Sequence, residues 1–152
     1  VMNIGTHLID ALRYLCGEFV SAQCIARSGN VDDPDIDGFL ATDGGCYAVL
    51  QASSSREFLI FEIQLIGDKG AIRIVRNGEA AHLLLPAGRN KSLNLVDERL
   101  APRDEQPLIK LYRETLTGGL APRCGVSDGS AAVKLAQALL RSSESDNVVV
   151  HP

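Results

Sequence analysis

The stretch Phe39-Leu40-Ala41-Thr42-Asp43-Gly44-Gly45-Cys46-Tyr47-Ala48-Val49-Leu50-Gln51-Ala52 holds two runs of β-favouring residues split by a tight reversal. It predicts strands over Phe39 to Thr42 and Cys46 to Ala52, joined as an antiparallel hairpin. The pattern continues downstream. Leu59 to Ile66 follows the Ser53-Ser54-Ser55 stretch, and Ala71 to Val75 and Ala81 to Leu85 are set off by Gly67-Asp68-Lys69-Gly70 and Arg76-Asn77-Gly78. Upstream, Phe19 to Ala26 alternates loosely until Ser28-Gly29-Asn30 and the acidic Asp32-Asp33-Pro34-Asp35 interrupt it. Together these runs predict one mostly antiparallel open sheet of about six strands. Pro86 to Pro107 reads as a loop with one short strand at Ser92 to Val96, and Val148 to Val150 as a closing strand.

Helical spacing brackets the sheet. From Ile4 to Leu15 the apolar positions Ile4, Leu8, Ala11, Leu12 and Leu15 recur with a period near 3.6, and Gly17 follows as a stop. Leu108, Leu111, Tyr112 and Leu116 predict a second helix ending at Gly118-Gly119. Ala131, Ala132, Leu135, Ala136, Leu139 and Leu140 predict a third, capped by Ser127 or Asp128 and broken at Ser142 to Asp146. The fold class is therefore α+β, an open, mostly antiparallel sheet with helices packed on one face.

Length and composition fit that class. A chain of 152 residues, 45% hydrophobic and 22% charged, makes a single domain over 1–152 with a real core, and is not disordered, collagen-like or coiled-coil. Its net charge of −4 has the opposite sign from a binder of nucleic acid or anionic membrane. With no Trp, four Phe and three Tyr, it also has few platforms on which bases or sugars could stack. No run approaches the ~20 apolar residues that span a bilayer, and no signal peptide is recognisable, so a cytoplasmic location is expected. Cys16, Cys24, Cys46 and Cys124 have irregular spacing with no Cys-x-x-Cys pair, which predicts reduced thiols and no metal site. The chain starts at Val1, directly ahead of a helix already under way, and reads as a fragment.

The residues able to carry chemistry cluster on the first helix. Asn3, His7, Asp10 and Tyr14 follow one another at helical spacing and form a polar stripe. An imidazole titrates near neutrality, and an amide or carboxylate one turn away can fix its tautomer, which is what a general base requires. The same stripe also suits a plain solvated face, and spacing alone does not decide between them. His82, inside a predicted strand, and His151, at a frayed end, read as satisfied or solvated histidines. The sequence contains neither Gly-x-Gly-x-x-Gly nor Gly-x-x-x-x-Gly-Lys-Ser/Thr, so it has no glycine-rich phosphate cradle.

The run Asn3-Ile4-Gly5-Thr6-His7-Leu8-Ile9-Asp10-Ala11-Leu12-Arg13-Tyr14-Leu15-Cys16-Gly17-Glu18 strongly resembles the segment that opens the second domain of Gfo/Idh/MocA oxidoreductases. That family is named for glucose-fructose oxidoreductase, inositol dehydrogenase and rhizopine catabolism, and it typically writes the segment Asp-x-Gly-x-His-x-x-Asp. Ile63 to Ile74, through Gly67-Asp68-Lys69-Gly70, resembles its strand–turn–strand unit, and Val126-Ser127-Asp128-Gly129 through Ser142-Ser143 its C-terminal helix.

The resemblance implies the C-terminal substrate and oligomerisation domain of an NAD(P)-dependent oxidoreductase acting on a sugar, inositol or related polyol. The implied N-terminal Rossmann domain, absent from this chain, would bind NAD or NADP, so no cofactor and no activity are expected of the fragment alone. His7 would be the acid/base, Asn3 would orient it where the family usually has Asp, and Asp10 would bind substrate or brace the helix. A homo-oligomer through the sheet is also implied. The alternative is a non-catalytic oligomerisation or ligand-sensing domain of the same fold, which Asn3 favours because an amide cannot stabilise an imidazolium with a full charge.

Overall fold

The computed structural model describes residues 4–28, 35–53, 60–100, 107–119 and 124–152. In chain order the elements are α1 (Ile4–Cys16), β1 (Phe19–Ser28), β2 (Asp35–Thr42), β3 (Tyr47–Ala52), β4 (Ile63–Gly67), β5 (Gly70–Val75), β6 (Ala80–Ala87), β7 (Ser92–Leu100), α2 (Pro107–Gly118) and α3 (Val126–Glu144). The class is α+β, with open antiparallel sheets. Among the described residues the strands number seven, and they form two hydrogen-bonded sheets, β1-β2-β3 and β4-β5-β6-β7, where the sequence predicts one. The hairpin expected across Ser53-Ser54-Ser55 falls, from Ser54 onward, on residues outside the described ones. The chain divides there into two compact units: residues Val1–Arg56 with Pro122–Pro152, and residues Glu57–Ala121.

In the first unit β2 pairs with both neighbours, Cys24 opposite Gly38 and Gly38 opposite Leu50. One face of the sheet buries Ala22, Cys24, Ile36, Leu40 and Leu50, as alternation requires. The helix α3 covers it with Leu135, Ala136 and Leu139. Gly38 permits the approach, because a Cβ there would stand 2.9 Å from Leu139 Cδ2. The buried stripe of α1 keeps the predicted Leu12 but is otherwise rotated by one residue from the predicted one. Ile9, Leu12 and Arg13 are buried while Leu15 remains 40% exposed, because α1 packs on α3. Positions 5, 9, 12 and 16 and positions 4, 8, 11 and 15 are both largely apolar, and only the partner surface chooses between them.

Capping differs in detail as well. The N-cap of α3 is Gly125, and Asp128 reaches back from the first turn, its Oδ2 accepting the Gly125 N–H at 2.7 Å. The predicted break at Ser142 falls inside the helix, which runs to Glu144 and is ended by left-handed Asp146 and Asn147.

The closing strand is a single bridge, Val150 to Ala22, yet it is part of a continuous seal along the outer edge of β1. Ala22 exchanges both backbone hydrogen bonds with Val150, at 2.8 Å each. The Cys24 N–H donates to Ser142 Oγ at 2.9 Å, and His151 Nδ1 meets the Val20 carbonyl at 2.8 Å.

The second unit is a sequential meander. Gly67 pairs with Gly70 across the predicted tight turn. A Cβ on Gly70 would fall 2.5 Å from the Leu84 carbonyl oxygen, so glycine is required there. Arg76 and Asn77 turn the chain into β6 with positive φ, and Asn77 Oδ1 accepts the Phe61 N–H at 2.8 Å. Over Pro86 to Pro107 the strand expected at Ser92 to Val96 is present and longer, β7 running nine residues to Leu100, and β6 reaches Ala87. All nine residues of β7 are exposed, so no buried face imprinted a pattern on its sequence.

Candidate functional site

The candidate chemistry of α1 lies in the first unit. His7 is exposed, Asp10 is half-buried and Tyr14 is exposed; Asn3 lies outside the described residues. None of the described residues hydrogen-bonds the His7 ring, which is open to a ligand or to water. Asp10, one turn on, has two partners. Its Oδ1 accepts from Arg13 Nη1 at 3.2 Å, and its Oδ2 faces the Cys124 thiol at 3.6 Å.

Arg13 joins the parts together. Its side chain is only 8% exposed on a helix face otherwise apolar. It donates through Nε to Glu18 at 2.9 Å, through Nη2 to the other Glu18 oxygen, and through Nη1 to the Asp128 carbonyl at 2.8 Å. A planar fork of five N–H donors suits three acceptors at once. The hydrogen bond to Glu18 chiefly holds the guanidinium above its usual pKa, against the opposing effect of burial. The end of α1 is thereby tied to the first turn of α3, with Asp10 held between Arg13 and Cys124. Burial, then the neighbouring Asp10, raises the Cys124 thiol above the ordinary range.

Arg13 and Cys124 were not singled out by spacing. Arg13 had a local signal, since Asp10 and Glu18 flank it within reach, whereas Cys124 comes to Asp10 only through the tertiary fold. A shallow cleft of about 130 Å³, lined by Arg13, Glu18, Phe19, Ala131, Lys134, Leu135 and Pro152, includes neither His7 nor Asp10. Among the described residues no three His, Cys, Asp or Glu side chains converge so as to hold a metal ion. No described helix is long and apolar enough to cross a membrane.

The other histidines are placed differently. His151 bonds to β1 as described above. In the second unit, the β5–β6–β7 register aligns Arg73, His82 and Glu98. His82 Nε2 is shielded from solvent without a hydrogen bond among the described residues, 3.6 Å from Glu98 Oε2.

These features define an α+β domain with a polar, histidine-bearing helix, α1. Residues 1–73 match the family described as the GFO/IDH/MocA C-terminal domain. An aldose-aldose oxidoreductase from Caulobacter crescentus, solved with glycerol, superposes with a TM-score of 0.75 at 20% identity, over 97% of this chain and 46% of that one. A putative NADPH-dependent oxidoreductase from Desulfitobacterium hafniense gives 0.76 at 16%, over 97% and 46%. The WlbA dehydrogenase from Bordetella pertussis, solved with NADH and UDP-GlcNAcA, gives 0.67 at 19%, over 99% and 44%. The chain spans less than half the length of each of these three proteins. A comparison with curated proteins gave no match. Residues 1–73 are similar in sequence to the GFO/IDH/MocA C-terminal domain, and nearly the whole chain is similar in fold to the oxidoreductases above.

Proposed function

We propose that this chain is the substrate-bearing part of an NAD(P)-dependent oxidoreductase acting on a sugar, inositol or related polyol, with His7 as its acid/base. The observation that carries the reading is an exposed imidazole one helical turn from a carboxylate already fixed by Arg13. His7 takes the proton of a substrate hydroxyl as the carbon is oxidised and returns it in the reverse direction. Asn3 is assigned the role of orienting the imidazole, and Asp10 that of binding a second hydroxyl or bracing the helix.

The chain's own residues do not fit a dinucleotide. Its paired strands are all antiparallel among the described residues, and it has no glycine-rich strand–turn–helix to receive a pyrophosphate. The nicotinamide is therefore assigned to a companion Rossmann domain, and no step is routed through it here. Such a domain also supplies a second wall for the exposed His7 face, since bound ligands are usually buried over ~70–90% of their surface.

Measured on protein comprising both domains, His7→Ala is expected to lower polyol-dependent NAD(P)H formation ~10²–10⁴-fold. An unchanged rate overturns the catalytic role. It would favour the second reading, a non-catalytic oligomerisation or ligand-sensing domain, to which Asn3 in place of the usual Asp lends weight. Either reading accommodates a homo-oligomer formed through the sheet. The face of β1-β2-β3 turned away from α3 carries exposed Ile25, Phe39, Val49 and Tyr47, and Phe39 lies directly opposite Val49. Four free cysteines suit the reducing cytoplasm, where we place the protein.

A further inference from the structure

An Asp and an Arg three residues apart on a helix ordinarily make a loose surface contact. Here one of the two has little freedom left. Arg13 gives a hydrogen to each of four acceptor atoms. Nε and Nη2 grip the two oxygens of Glu18, and Nη1 divides its pair between the Asp128 carbonyl at 2.8 Å and Asp10 Oδ1 at 3.2 Å. All of these acceptors except Asp10 lie outside α1. Glu18 stands immediately before β1, and Asp128 belongs to the first turn of α3, where its own Oδ2 accepts the Gly125 N–H at 2.7 Å. With its side chain 8% exposed, the guanidinium is thus aimed by the entry to β1 and by α3, and Asp10 receives the hydrogen that remains on Nη1.

That aim matters because the Asp10 side chain is 37% exposed, so part of its carboxylate is open to a ligand. An ionised carboxylate offers about four lone-pair directions. Arg13 occupies one on Oδ1, and the Cys124 thiol, 3.6 Å away, faces Oδ2 as a weak donor. Each oxygen keeps one direction open, and each can only accept. Two neighbouring hydroxyl groups satisfy both at once.

We propose that Arg13 is the positioning residue that fixes Asp10 as a receptor for two adjacent hydroxyls of a polyol, one helical turn from His7. The role rests on His7 and Asp10 facing substrate, as proposed above. By holding the carboxylate in one rotamer before a ligand arrives, Arg13 removes an ordering cost that binding would otherwise meet, equivalent for one side chain to about 2–10-fold in affinity. Proton transfer is left to His7, so the effect of Arg13 falls on KM and not on kcat.

The test reads the Asp10 side chain first and turnover second. In the isotope-labelled chain, the three-bond couplings from the Asp10 backbone nitrogen and carbonyl carbon to its Cγ should report one rotamer. In Arg13→Met they should average over several rotamers while the amide shifts of β1, β2 and β3 stay in place. Should Arg13→Met fail to fold, Glu18→Ala, at a side chain 69% exposed, frees the guanidinium and should average Asp10 in the same way. Glu18, an acceptor like Asp10, cannot hydrogen-bond it, so this effect has to pass through Arg13. In protein comprising both domains, assayed for NAD(P)H formation with myo-inositol and with D-glucose, Asp10→Asn should raise KM. Arg13→Met and Glu18→Ala should each raise KM about 2–10-fold with kcat held within about twofold, and neither should add to the effect of Asp10→Asn. An Asp10 rotamer already averaged in the parent, or unmoved by both variants, or KM effects that add to that of Asp10→Asn, overturns the positioning role. With the couplings as expected, a KM untouched by Asp10→Asn, or no turnover of either polyol, instead overturns Asp10 as a substrate-facing group, and the proposal falls with it.

Discussion

Ser142→Ala removes a single oxygen atom, and the structure allows its cost to be worked out. Ser142 is fully buried near the end of α3. Its Oγ accepts the Cys24 N–H at 2.9 Å and donates to the Val148 carbonyl at 2.6 Å. Cys24 is itself fully buried, so alanine strands a main-chain donor away from water, at about 1–3 kcal/mol. Val148 is 53% exposed and its carbonyl can turn to solvent, so the second bond contributes nearer ~1 kcal/mol. The sum is about 2–4 kcal/mol, a large fraction of the stability of an ordinary domain. Urea denaturation followed by circular dichroism should show the midpoint falling with the slope unchanged. Hydrogen exchange should accelerate first at the Cys24 amide. A loss below ~0.5 kcal/mol, or a Cys24 amide as protected as before, would refute the assignment of Ser142 as the bond that closes this edge.

Gly70→Ala should unpair the turn between β4 and β5, because the new Cβ meets the Leu84 backbone oxygen at 2.5 Å and backbone cannot step aside; a loss of about 1–3 kcal/mol in thermal unfolding is expected. Gly38→Ala meets only the tip of Leu139 and should cost less, so equal costs would contradict this reasoning. Burial, helped by Asp37, pushes the Cys24 thiol from 9.0 up to about 11. The unfolded chain therefore releases this proton at lower pH than the folded one. The stability it contributes is complete below pH 9.0 and disappears as pH rises toward about 11. Denaturation midpoints measured across that window should fall in the parent chain and flatten in Cys24→Ala.

The strands were legible wherever one face is buried. Phe39 to Ala52 and the Gly67–Gly70 turn read correctly because alternation and turn chemistry are local signals. Only the first part of β7, Ser92 to Val96, was legible, because every residue on the strand is exposed and no buried face extended the signal to Leu100. The orientation of α1 was misread by one position, since Leu8 and Ile9, Ala11 and Leu12, and Leu15 and Cys16 are adjacent pairs of similar polarity. The division into two sheets was not legible at all, because pairing partners are chosen by tertiary geometry. At the candidate site, the spacing of His7 and Asp10 was visible from the first helix alone. Arg13 as a buried junction was not, because a helix wheel gives no hint that the Asp128 carbonyl will face it.

The edge of β1 has a consequence for the order of events in synthesis. Residues Val1–Arg56 emerge from the ribosome well before Pro122–Pro152, with all of Glu57–Ala121 between them. Ala22 must wait for Val150, Cys24 for Ser142 and Val20 for His151. At ordinary translation speeds that interval is on the order of ten seconds. Throughout it the first unit has strands capable of pairing but one edge unclosed, the condition in which nascent chains find wrong partners. The inserted unit, whose strands pair only with sequence neighbours, can complete its sheet before Pro122–Pro152 arrive to close the edge of β1.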